Sequence, residues 1–151
     1  MSAEQVCRSL CAPTQAPLVA ARELLRQLGF AYLTGTGDAH AKNLAIVHQP
    51  PGEWRVSPAF DLPSSYLYGD RTVALPVAGR SGADIPRRAF VELGHQLNLP
   101  EPAIGSVLDD LCDRAESWLP DLGSLPFPAG QLRELRRTIE YRRRLLRGLA
   151  A

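Results

Sequence analysis

The sequence predicts a mainly α fold carrying one small β-hairpin. Apolar residues recur at three- and four-residue spacing over long stretches of the second half, the period of an α-helix. A mostly apolar stretch from Leu18 to Leu33 is too long for a strand. Between these regions, two short β-forming runs flank a Pro-Pro-Gly turn.

Taken in chain order, residues 1–17 read as a flexible or partly helical lead-in, with Cys7 and Cys11 at helical spacing. In Leu18 to Leu33, only Arg22, Glu23, Arg26 and Gln27 form a polar face, so that helix is buried on most of its circumference. Pro17 suits its start, and Gly35 and Gly37 end it. "LAIVH" (Leu44 to His48) and "WRVS" (Trp54 to Ser57) are the hairpin strands, and Pro58 ends the second. Leu62 to Pro86 is rich in Pro, Gly and Ser; so long a loop inside a compact domain is usually functional or mobile. Helices follow at Arg87 to Leu97, at Glu101 to Leu119 and at Ala129 to Leu149. The last is expected to bury Leu132, Leu135, Ile139, Leu145, Leu146 and Leu149, and its arginines read as a solvated face.

The chain has 151 residues, one domain's worth, with 45% apolar and 22% charged side chains. That balance excludes wholesale disorder. No run approaches a membrane span, and the N-terminus lacks the pattern of a signal peptide. The expected setting is the cytoplasm, with the three cysteines as free thiols. A net charge of +1 argues against a nucleic-acid grip by the whole domain. Sixteen of the 17 basic residues are arginine, which leaves Lys42 as the one lysine.

That lysine lies in "TGTGDAHAKNLAIV", where Asp38 and Asn43 form D-x-x-x-x-N. The spacing is that of a protein-kinase catalytic loop, in which the aspartate accepts the substrate hydroxyl proton and the asparagine holds magnesium. If the hairpin turn is centred on Pro51–Gly52, paired residue numbers add to about 103. Asn43 then faces Phe60, beside Asp61, so two oxygen ligands meet at the base of the ribbon, as a phosphate-bound Mg²⁺ requires. Alone, Gly37-Asp38 would read as a turn; the joint pattern with Asn43 and Asp61 favours a site. The same residues leave room for a metal-dependent hydrolase built on Asp38, His40 and Asp61, or for a non-catalytic binding module.

"GDAHAKNLAIV" followed by "VSPAFDLPSS" resembles the HipA-like toxin kinase family, and the similarity runs through "VALPVAG" into the helices that follow. The resemblance implies a protein-kinase-like C-terminal lobe over residues 1–151, with the hairpin next to the metal site. It implies phosphoryl transfer from ATP to a serine or threonine of a protein. Asp38 would be the base, Asn43 and Asp61 the Mg²⁺ and nucleotide residues, and His40 and Lys42 catalytic-loop residues near the transferred phosphate. The implied partners are a small DNA-binding, HipB-like antitoxin and a protein substrate such as an aminoacyl-tRNA synthetase. Neither membrane nor direct nucleic-acid contact is expected. No glycine-rich phosphate loop or strand lysine stands upstream of Asp38, so the lobe that covers ATP is expected from another chain or another segment.

Overall fold

Ser2 opens the first helix with a capping box: its side chain accepts the Gln5 amide, and the Gln5 side chain accepts the Ser2 amide. In the computed structural model, which describes residues 1–149, this helix is α1 (Ala3–Cys11). It is more than a lead-in, because Ala3, Val6, Cys7 and Cys11 are all in the core. Sequence reading underrates it because the helix is short, but the Ser2-x-x-Gln5 pattern marks its start.

The central element is α2 (Pro17–Thr34), with Pro at its first turn and Gly35 in the left-handed conformation at its C-cap. Leu24, Leu25 and Leu33 are fully buried. Then come α3 (Arg87–Gln96), α4 (Glu101–Trp118), a 3₁₀ segment (Leu119–Ser124) and α5 (Ala129–Arg147). The α2 helix packs on α1, α3, α4 and α5, so one core surrounds it. The long segment after Asp61 is irregular, as expected. Its Tyr66, Leu75, Val77 and Ile85 nonetheless enter the core.

Two strands, β1 (Ile46–Gln49) and β2 (Glu53–Val56), pair antiparallel. The register is Ile46 with Val56 and Gln49 with Glu53, one residue off the expected pairing. The reason is loop length. Pro50, Pro51 and Gly52 make a three-residue connection centred on Pro51, not a turn centred between Pro51 and Gly52. The Gln27 side chain of α2, itself buried, donates to the Ser57 carbonyl at 2.9 Å and fixes the hairpin's exit against the helix.

The last helix also departs from expectation. Its buried positions are Leu135, Ile139, Arg142 and Leu146, while Leu149 is exposed. The spacing of four, three and four is regular, so Arg142 occupies a core position. The expected solvated arginine face therefore excludes this one residue. Cys7, Cys11 and Cys112 are free and buried, and burial pushes the Cys7 thiol up to about 12.

Candidate active site

Two backbone segments build the site. The first leaves α2 through Gly35, whose φ of 75° a side chain would resist. The chain then turns through Thr36 and Gly37 to Asp38. A Cβ at Gly37 would collide with the Asp70 carboxylate, so a larger residue would have to displace that side chain. That carboxylate is held in place by the Thr72 amide and then its hydroxyl, which also keep its pKa below the ordinary value. Ala41–Asn43 forms one 3₁₀ turn, in which the Asn43 amide donates to the His40 carbonyl.

The second segment, Ser57 to Ser65, returns from the hairpin. Asp61 lies in the left-handed region, with φ of 51°. Aspartate tolerates that region better than most residues, but it still marks a locally constrained backbone. Ser65 fastens the two segments together. Its hydroxyl accepts the Gly37 amide at 2.7 Å, and its amide donates to the Gly35 carbonyl at 3.0 Å.

The structure brings Asn43 and Asp61 together. The Asn43 amide nitrogen donates to the Asp61 carbonyl at 2.9 Å and to its carboxylate at 3.0 Å. The route is not the expected one. The ladder stops at Ser57, whose amide donates to the Ala45 carbonyl, and Asn43 approaches Asp61 from the 3₁₀ turn, not from a strand.

Asp38 presents a largely exposed carboxylate, 76% accessible, with His40 Nε2 3.9 Å from it. Lys42 projects into solvent, outside every ion pair among the described residues. Asp38, His40 and Asp61 do not converge into a cluster of metal-ligating side chains among the described residues, so the hydrolase arrangement has no preformed cage. Four buried side-chain polar atoms lack a hydrogen-bond partner among the described residues, and three belong here: His40 Nδ1, Asn43 Oδ1 and Ser64 Oγ. Unsatisfied buried polar atoms are costly, and these three lie on the two segments described above. Ser64, Ser65 and Asp70 escape sequence reading because a Ser-rich loop looks like any other turn.

The HipA-like C-terminal domain family matches residues 2–119. A Haemophilus influenzae protein named "Putative kinase" is 26% identical over 84 residues, 53% of this chain and 24% of that protein. A Sinorhizobium fredii protein named "Putative kinase Y4dM" is 28% identical over 111 residues, 71% of this chain and 27% of that protein. The chain thus spans about a quarter of the length of these relatives. In a solved complex of the Shewanella oneidensis MR-1 toxin–antitoxin system, HipA and HipB with operator DNA, one chain superposes on all of this chain. The TM-score is 0.77 at 22% identity, over 38% of that chain, which establishes a shared fold. A profile match over most of its length, agreeing with the fold, shows that the chain belongs to the HipA-like C-terminal domain family.

Proposed function

We propose that this chain, as one domain, is the C-terminal catalytic lobe of a HipA-like kinase that transfers the γ-phosphoryl group of ATP to a serine or threonine hydroxyl of a protein. The observation that carries the reading is the Asn43–Asp61 contact with an orphaned amide oxygen beside a carboxylate. Hard oxygen donors of this kind suit Mg²⁺, and one amide plus one carboxylate is the small protein share that Mg²⁺ takes when phosphates supply the rest. Bound there, the cation would neutralise phosphate charge during transfer.

Asp38, accessible and carried on a rigid glycine turn, takes the proton of the incoming hydroxyl. His40 lines the approach to it. Lys42, free to reorient, offers a compact positive charge to the transferred phosphate. The chain holds no glycine-rich loop to cover the nucleotide, so activity requires an N-terminal lobe, carried by a longer protein or a separate chain. The likeness to a HipA chain found with HipB and DNA supports a DNA-binding antitoxin as partner, and the names of the relatives support kinase chemistry. A non-catalytic module that binds antitoxin or substrate would share the fold and differ at the metal site.

Mn²⁺, a paramagnetic stand-in for Mg²⁺, separates them. Added with ATP to the isotope-labelled chain, it should broaden the amide resonances of Asn43 and Asp61 before others, and Asp61→Asn should abolish that selectivity. Uniform broadening in the wild type, or none, would refute the catalytic-lobe reading.

A further inference from the structure

Six of the seven arginines of α5 are exposed or half-buried; Arg142 is 1% exposed. Its surroundings are carbonyls and rings. Nη1 donates to the Tyr32 carbonyl at 2.6 Å, and Nη2 to the Arg71 carbonyl at 3.3 Å. The guanidinium carbon lies 4.8 Å from the Tyr32 ring centre and 5.8 Å from that of Tyr66. Asp84 acts on it only from a distance, and burial pulls its pKa below the ordinary arginine value. Among the described residues Arg142 has no ion-pair partner; a buried cation of that kind is expensive, and an apolar side chain of similar volume often serves stability as well or better. Core filling therefore does not account for an arginine here.

Its two carbonyl acceptors do. Tyr32 is in the last turn of α2, and its carbonyl also accepts the Gly35 amide at 3.2 Å, three residues before Asp38. Arg71 lies ten residues beyond Asp61 and follows Asp70, whose carboxylate abuts Gly37. Between them, the Tyr66 amide donates to the Gly35 carbonyl at 3.2 Å, and the Tyr66 ring faces the guanidinium. One planar fork thus ties the end of α2, which leads into the Asp38 turn, to the loop that follows Asp61.

We propose that Arg142 is a positioning residue: it sets the spacing between the Asp38 turn and the Asp61 segment. The last helix, which lies beyond the matched residues 2–119, is then part of the active-site scaffold. The catalytic-lobe reading enters only in naming what is positioned.

The test uses the full chain and two variants, Arg142→Lys and Arg142→Met. Lysine keeps the charge but not the planar two-nitrogen fork or its stacking on the tyrosine rings, and methionine keeps the volume alone. Amide exchange is measured at Gly35, Gly37 and Tyr66, against core amides of α4 as an internal reference for global stability. Both variants should exchange at least about tenfold faster at the three site amides relative to the α4 reference. The selective Mn²⁺ broadening at Asn43 should weaken in parallel. If Arg142→Met fails to fold, Arg142→Lys carries the test alone. Site amides that change only in step with α4, or full protection in Arg142→Lys, would overturn the proposal. Missing Mn²⁺ selectivity in the wild type would sink the metal reading, while the exchange comparison would still decide the role of Arg142.

Discussion

Lys42 and Asn43, neighbours among the five candidate site residues, are held very differently. Lys42 is exposed and outside every described ion pair; Asn43 is buried against Asp61. Under the proposed function, the contrast suits a group that moves toward a phosphate beside one that would hold a cation. A compact ammonium on a flexible stem can follow the transferred group, and a planar guanidinium cannot copy it. With the nucleotide-covering lobe supplied, Lys42→Arg should therefore lower the transfer rate by about tenfold or more, roughly 1.4 kcal/mol of transition-state stabilisation, as read from initial rates. A wild-type rate in that variant would remove Lys42 from the mechanism. The Asn43–Asp61 contact was legible because the D-x-x-x-x-N spacing and the hairpin point to it. Arg142 was not, because composition groups it with the exposed arginines around it. Only its place in the spacing Leu135, Ile139, Arg142, Leu146 betrays it.

At the scale of elements, α1 is fastened to the loop after the site. The buried Glu4 carboxylate accepts the Ala78 amide at 2.6 Å, and the Ala3 amide donates to the Pro76 carbonyl at 3.0 Å. Burial pushes the Glu4 pKa up, but the hydrogen bonds from Ser2 and Ala78 and the nearby Arg8 outweigh it, leaving the pKa lowered from 4.5. A carboxylate whose folded pKa is depressed adds stability that is complete above its unfolded pKa. That stability fades as pH falls through the folded value. Urea denaturation should accordingly show the chain losing stability below about pH 4.5, with a smaller loss in Glu4→Gln. Equal acid sensitivity in both proteins would show that Glu4 has no such role. The hairpin shows where element-level reading stops. Strand existence follows from β-forming residues, but register depends on whether the loop has two or three residues, and Pro-Pro-Gly fits both. A one-residue slip moved Asn43 off its expected partner. The contact with Asp61 survived because a 3₁₀ turn and a left-handed Asp61 bring the two together outside the ladder.

At the scale of the whole molecule, the helical core and the single hairpin were readable from periodicity, and the family from paired motifs about 20 residues apart. The tertiary fastening of the site through Ser65, Asp70 and Arg142 was not, since it joins residues 28 to 110 positions apart, and no local pattern records such contacts. Among the described residues no helix is long and apolar enough to cross a membrane. The chain covers 38% of the HipA chain it superposes on, and under the proposed function a second lobe covers the nucleotide. By itself, then, the 151-residue protein should bind Mg²⁺–ATP only weakly, in the millimolar range or about 4 kcal/mol, with no turnover in calorimetry. Tight binding with hydrolysis by the lone chain would contradict the need for a second lobe. The most direct measurement is transfer of labelled γ-phosphate to a protein substrate by this chain joined to the N-terminal lobe of a relative, with Asp38 intact and with Asp38→Asn. The account predicts transfer by the intact protein and a loss of about 10²-fold or more in the variant, with ATP binding retained, because only the base and its charge are removed. Undiminished transfer by Asp38→Asn would contradict it.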